Sequence, residues 1–324
     1  MLLTVVIPVR DDAGPLERCL RALEQQRRRA DELVVVDNGS SDGSAAVALA
    51  HGARIVTVGV RGIPGATAAG FDAARGDVIA RLDADSVPPV DWLERIEAAF
   101  AADRDLAAVS GAARFYGGSA IVRSLGRLSL TVGYFRLIAA LLGHVPLYGS
   151  NFAIRSAVWA RTARAVLRDR ADVHDDLDLS LRLPPGSAVR YDPGLSVGVS
   201  ARSFVRPGGA RGQIRMTATT LAAANRDPGL LRLRLRWYLA TGAPSGRSRG
   251  PLRGLEEREQ IAAQRVWRRL ARAVAARVDA EDGAQLLGVP TVQLDGPHVV
   301  LADGEEDGDA GGAERGPEVG DAAQ

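Results

Sequence analysis

Four short apolar runs, Leu3 to Val9, Leu33 to Val36, Ala53 to Val58 and Val78 to Leu82, alternate with helical segments through the first 110 residues of a 324-residue chain. Strands joined by crossovers of that length lie parallel in one sheet, because a tight turn would reverse the chain instead. Local signals set the helices. Pro15 opens one whose Leu16, Leu20 and Leu23 form an apolar stripe, with Cys19 a small core residue upon it. In the turn cluster Asp37-Asn38-Gly39-Ser40-Ser41-Asp42-Gly43-Ser44, Asp42 or Ser44 is expected to cap a helix ending near Gly52. After Gly62-Ile63-Pro64-Gly65 a third helix runs to about Arg75 and stops at Gly76. The expected fold is α/β: a doubly wound, mostly parallel sheet flanked by helices.

The fourth run ends in Leu82-Asp83-Ala84-Asp85-Ser86-Val87-Pro88-Pro89, and the prolines stop the strand. Asp83 and Asp85 therefore fall at a strand's carboxyl end, where open α/β sheets bind ligands. Two carboxylates one residue apart can share Mn²⁺ or Mg²⁺ and leave coordination positions for phosphates; the bland alternative is a solvated turn. The first turn, Pro8-Val9-Arg10-Asp11-Asp12, lacks G-x-G-x-x-G, which argues against a nicotinamide or flavin enzyme. Gly62, Gly65 and Gly70 come one unit too late for that pattern. They read either as a tight turn with close helix packing or as a backbone approach to a nucleotide.

Composition excludes further classes. The chain has no lysine, so all 41 basic residues are arginines and the lysine of a phosphate-loop NTPase is missing. One cysteine allows no intrachain disulfide and suits a reducing compartment. The net charge of +2 hides an acidic tail: residues 303 to 324 hold eight acids and one arginine, so the preceding body is basic and suits anionic partners. Aromatic residues do not interleave with the arginines, which disfavours nucleic acid as a partner. The amino terminus has no basic n-region or cleavage pattern, and no run of 18 apolar residues occurs. The expectation is a cytoplasmic chain, soluble or peripheral at the inner face of the cell membrane.

Further along, Tyr148 to Arg155 reads as a strand followed by a helix capped by Ser156, with Asn151 a turn or pocket residue. His174-Asp175-Asp176-Leu177-Asp178 places three acids at the start of a short amphipathic helix with Leu179 and Leu183 inward. Acids there can serve only the cap and the helix dipole, or one can be a base. His174 reads as a loop histidine, a metal ligand or a proton partner. Arg202 is a candidate to reach phosphate or acceptor. Ile121 to Leu142 is either a helical cover over the acceptor site or a segment lying in a membrane interface.

Val5-Val6-Ile7-Pro8-Val9, Val34 to Ser44 and Ala74 to Asp85, in that order, resemble the nucleotide-binding half of a family 2 glycosyltransferase of the GT-A fold. The resemblance implies transfer of a sugar from a UDP-, GDP- or dTDP-sugar to a saccharide, lipid-linked or small-molecule acceptor, with inversion, in cell-envelope or polysaccharide synthesis. It implies that Pro8, Val9, Arg10, Asp37 and Gly62 help hold the nucleoside. Asp83, Ala84 and Asp85 would hold ribose and diphosphate, with Asp83 and Asp85 on a metal. Asn151, Asp178 and Arg202 would line the sugar and acceptor pocket. His174 to Leu183 is similar to the family's Glu-Asp-x-x-Leu motif, with Asp175 in the glutamate place and Asp176 as base. The family often has Ala-Arg-Asn-x-x-Gly near the third helix, where this chain has Ala66-Thr67-Ala68-Ala69-Gly70. A nucleotidyltransferase would share the alternation but wants a basic, Gly-rich first turn; a non-catalytic scaffold on the same fold is the other alternative.

These readings divide the chain into a catalytic domain at 1–205, with a nucleotide half at 1–110 and an acceptor half at 111–205, and an arginine-rich helical extension at 206–280. A hairpin at 281–302 and a disordered acidic tail at 303–324 complete it. The extension could pack on the catalytic domain, form a homodimer or rest on anionic lipid.

Overall fold

The structure is a computed structural model that describes residues 1–59, 62–128, 135, 138–142, 144–183, 187–202 and 209–227. All of them fall within one unit, Met1–Ala273. The expected helices and hairpin beyond 227, and the acidic tail, lie outside the described residues.

The first strand, β1 (Leu3–Val9), shows why the sheet forms. Leu3, Val5, Ile7 and Val9 enter one apolar layer and Val6 the other, because side chains alternate across a strand. On the first face lie α1 (Ala13–Glu24) and α2 (Ser44–Ala50). β2 (Glu32–Asp37) and β3 (Arg54–Thr57) extend the sheet, and α3 (Ile63–Ala73) covers the second face. β4 (Val78–Arg81) follows, then α4 (Trp92–Ala102), β5 (Leu106–Tyr116), α5 (Ala120–Leu128) and the short α6 (Ala139–Leu142). β6 (Phe152–Arg155), α7 (Ser156–Thr162), α8 (Asp175–Arg182), β7 (Ala188–Ser200) and α9 (Gly209–Asn225) complete the described elements.

The seven strands run in the order β3-β2-β1-β4-β6-β5-β7. Every pair is parallel except those of β6, which lies antiparallel between β4 and β5. The doubly wound, mostly parallel sheet is therefore as expected. The long β5 and β7 were not read from the sequence; their register shifts between Gly111 and Ala112, opposite Asp192 and Ser196.

Gly70 answers the question of the third-helix glycines. A Cβ there would lie 2.4 Å from Val6 Cγ1 and 2.7 Å from Val36 Cγ2, so α3 rests directly on β1 and β2. At Gly65 a Cβ would come within 3.0 Å of the Arg168 carbonyl. Both serve packing. Two cap assignments change. Gly43 precedes α2, and Asp42 instead accepts the N–H groups of Ser44 (2.9 Å) and Ala13 (3.0 Å), joining the starts of two helices. Ser156 is the first residue of α7, and its hydroxyl donates to the Gly76 carbonyl. α8 is not amphipathic in its surroundings, since Leu177, Leu179, Leu181 and Leu183 are all buried. Leu177 and Leu181 pack with Ile138, Leu142 and Ala224 in a small cluster under α9.

His51, just after α2, sits between Glu24 (2.7 Å) and Glu17 (2.9 Å) of α1. Burial opposes its charge, yet the two glutamates outweigh it and raise its pKa above the ordinary 6.5. Being raised on folding, the group stabilises fully below 6.5 and loses that contribution as pH rises through the folded value. Glu17 is lowered chiefly by the His51 bond, so its part fades as pH falls below about 4.5. His51→Gln is expected to flatten the decline of Tm between pH 6.5 and 8.5, measured by calorimetry against the parent chain.

Candidate active site

Five elements converge at the carboxyl end of β4. The strand itself explains the first surprise: its last residue, Arg81, is 2% exposed. An arginine in a buried strand needs anionic partners. Its Nη2 donates to Asp83 Oδ1 at 3.0 Å, and its Nη1 lies 2.9 Å from Asp175 Oδ2. Asp175, at the start of α8, also accepts the Thr67 hydroxyl of α3 at 2.6 Å.

The loop before β6 holds the other carboxylates. Ser150 donates its hydroxyl to Asp83 Oδ2, while the adjacent Gly149 donates its N–H to Asp176 Oδ2 at 2.7 Å. Asp176 Oδ1 accepts the Leu177 N–H. Burial first, then the charge of Asp175, pushes the Asp176 carboxyl above its usual range, against His174, Arg81 and the Gly149 N–H. Tyr148, buried beside these acids, has its phenol pushed up as well, chiefly by burial.

Asp85 faces a different cation. Arg202, just past β7, places its Nε 3.0 Å from Asp85 Oδ2 and grips both oxygens of Asp12 with its terminal nitrogens, Nη1 at 2.6 Å. Burial and the neighbouring Asp83 nevertheless push the Asp85 carboxyl up to about 6. Tyr116 fixes the backbone here by donating its hydroxyl to the Asp85 carbonyl at 2.7 Å.

The expected nucleoside residues line the ends of β1 and β2. Arg10 is exposed, Pro8 is half-buried and Val9 is buried. Asp37 Oδ1 accepts the Ser40 N–H at 2.9 Å. Asp11, at a left-handed φ of 49°, accepts the Ser41 N–H at 2.7 Å, so the loops after β1 and β2 are tied together. Gly62, at φ 148°, starts α3 and accepts the Asn38 side-chain amide through its carbonyl at 3.0 Å. Ala84 is buried between the two acids of its motif.

Two candidates stand elsewhere. Asn151 is fully buried: its Oδ1 accepts the Trp92 indole N–H at 2.8 Å, and its Nδ2 donates to the carbonyls of Ala112 (2.9 Å) and Leu195 (2.6 Å). Its backbone N–H closes a turn on the Tyr148 carbonyl at 2.7 Å, as the turn reading expected, and a Cβ on Gly111 would come within 2.2 Å of its side-chain amide. Asp178 is 2% exposed, with Oδ1 on Arg182 Nε (2.8 Å) and Oδ2 on the Leu167 N–H (2.7 Å). Asp178 lies one turn along the same side of α8 as Asp175, where it accepts the Leu167 N–H. His174 leads into α8 with its N–H on Thr220 and a ring nitrogen 3.2 Å from the Gln213 carbonyl, so α9 holds it. Cys19 is a core residue, as expected.

Arg81, Asp12, Thr67, Ser150 and Tyr116 were missed. Arg81 carried a readable signal, being a charge inside a run of buried residues; the others had none.

Residues 4–162 match the family model described as Glycosyl transferase family 2. Among curated proteins, undecaprenyl-phosphate 4-deoxy-4-formamido-L-arabinose transferase of Pseudomonas paraeruginosa is 39% identical over 105 residues, covering 29% of this chain and 31% of that protein. Glycosyltransferase AglE of Haloferax volcanii is 32% identical over 100 residues, covering 28% of this chain and 33% of that one. The match thus spans about a third of these relatives' length. Glucosyl-3-phosphoglycerate synthase of Mycobacterium tuberculosis, solved with Mn²⁺, UDP and glucosyl-3-phosphoglycerate, superposes with a TM-score of 0.45 at 21% identity, covering 61% of this chain and 70% of that one. Residues 4–162, just under half of the chain, are thus similar to glycosyl transferase family 2.

Because Asn151 satisfies an indole and two carbonyls from three elements, Asn151→Ala should cost about 3 kcal/mol or more, each orphaned group costing roughly 1 to 3. Urea unfolding is expected to show a lower midpoint with an unchanged slope.

Proposed function

We propose that this protein is a glycosyltransferase that moves a sugar from a nucleoside-diphosphate donor to an acceptor hydroxyl, with inversion. One observation carries the reading: the adjacent Gly149 and Ser150 bind Asp176 and Asp83, which sets the two acidic motifs side by side although 93 positions separate them. The strand-end acids then belong to the donor and the helix-start acids to the acceptor.

Asp37, with Pro8 and Gly62, faces the nucleoside, and Arg202 stands where it can turn from Asp12 toward a diphosphate. Asp176, whose raised pKa matches a group that must take a proton, receives it from the acceptor hydroxyl as that oxygen attacks the anomeric carbon. The bond from that carbon to the diphosphate oxygen breaks, and the electron pair leaves with the diphosphate.

Asp83 and Asp85 fit a divalent cation. Burial and then the repulsion of Asp83 raise Asp85, and both are costs that such an ion relieves. Among the described residues no three His, Cys, Asp or Glu side chains form a ready cage, so the remaining positions would fall to phosphate and water, the habit of Mg²⁺ and Mn²⁺. When bound, the ion would offset charge on the departing diphosphate.

A polyprenyl phosphate as acceptor is the second reading, favoured by the names of the curated relatives. A phosphate oxygen is already anionic and needs no base. No helix among the described residues is long and apolar enough to cross a membrane, so such an acceptor would be met at a membrane surface.

Thermal shift with nucleoside diphosphates and nucleotide sugars, with and without Mn²⁺, tests the donor site. A shift for one nucleotide that needs the metal and disappears in Asp85→Ala is expected; no shift with any of them would overturn the reading. Asp176→Asn should keep that shift and lower transfer to a hydroxyl acceptor by about 10² to 10⁴-fold. Transfer left intact by the same variant would favour the phosphate acceptor.

A further inference from the structure

Arg81 belongs to neither acidic motif, yet it touches both. It is 2% exposed, its Nη2 lies 3.0 Å from Asp83 Oδ1 and its Nη1 lies 2.9 Å from Asp175 Oδ2. The two carboxylates differ in setting: the Asp83 side chain is 39% exposed and faces the cleft, whereas that of Asp175 is 13% exposed and is also held by Thr67. The chain makes room for this arrangement. A Cβ on Gly149 would fall 2.6 Å from Arg81 Nη1 and 3.1 Å from Asp176 Oδ2, so any other residue there would force the guanidinium and the base motif apart.

We propose that Arg81 is a positioning residue that couples the donor site to the base: its guanidinium is shared between Asp83 and Asp175, so that a cation arriving at Asp83 changes how firmly Arg81 holds the start of α8. The inference rests on the donor and base roles proposed above for these acids. Its physical basis is the fork of the guanidinium, whose separate nitrogens serve two carboxylates at once. In a buried setting the charge must be balanced, so what one carboxylate gives up the other supplies. Donor binding at Asp83 therefore tightens the grip on Asp175, which neighbours Asp176, and holds the base more firmly when a donor is present. A lysine, with one compact ammonium, cannot span both partners.

Mn²⁺ and UDP are the probes, with binding measured by calorimetry on the full chain for the parent, Asp175→Asn, Arg81→Met and the double variant. Asp175→Asn alone is expected to weaken Mn²⁺·UDP binding, because Arg81 then falls wholly to Asp83 and competes with the metal. In the Arg81→Met background the same substitution should act at least threefold less. Arg81→Lys should behave as Arg81→Met does. Equal factors in both backgrounds would overturn the coupling, since loss of a nearby negative charge acts alike whether or not Arg81 is present. If the parent binds no nucleoside diphosphate, the donor reading fails separately. The linkage is then read without ligand, from urea melts of Asp83→Asn, Asp175→Asn and their combination. Non-additive midpoints that become additive in Arg81→Met would support the strut, and additivity in both backgrounds would overturn it.

Discussion

The antiparallel insertion of β6 between β4 and β5 is the constraint on which the site depends. Its register sets Arg81 opposite Phe152, and the loop that feeds β6 must therefore pass over the end of β4. That loop is Tyr148-Gly149-Ser150-Asn151, and each residue does a separate task there. Gly149 and Ser150 hold a carboxylate each, and Asn151 nails the loop to β5, β7 and α4 through Ala112, Leu195 and Trp92. Were β6 added at an edge instead, the acids of α8 would have no reason to meet those of β4.

Charge balance explains the rest of the local arrangement. Asp12, Asp83, Asp85, Asp175 and Asp176 crowd a partly buried region, and carboxylates so placed repel one another and lose hydration. Arg81 and Arg202 answer from opposite sides, one from inside the sheet and one from beyond β7. The compensation is uneven. Asp85 remains raised to about 6 despite Arg202, chiefly because it is buried and then because Asp83 stands beside it.

The parallel half of the sheet was legible because its signal is local. Val5, Val6 and Ile7, or Val34, Val35 and Val36, are apolar on both faces, which only a strand covered on both sides tolerates. β5 and β7 were hidden by composition: Ala107-Ala108, Gly111-Ala112-Ala113 and Asp192-Pro193-Gly194 look like helix or turn. The structure uses them for close approach and for a bulge, where Gly194 donates to the Asp192 carboxylate. The acids of the site were legible as motifs, but their partners were not. Arg202 was named as a candidate for phosphate or acceptor, but its pairing with Asp12, 190 positions away, and with Asp85, 117 away, had no local signal. Asn151 stood open between a turn residue and, by the family resemblance, a pocket residue; it closes a turn on Tyr148, and three donors and acceptors from separate elements converge on its buried side chain.

The two acids of α8 that stand apart illustrate how one turn of helix separates roles. Asp175 and Asp178 are three positions apart and neighbours on the cylinder, yet α8 is covered on every side by Leu177, Leu179, Leu181 and Leu183. Only its first turn emerges toward β4. Asp175 and Asp176 lie in that turn and face Arg81 and Gly149; Asp178 is already inside, where Arg182 one turn later must neutralise it. The Asp178–Arg182 pair lies in the buried part of the helix, each side chain 5% exposed or less, while the opening acids stay within reach of Gly149 and Arg81.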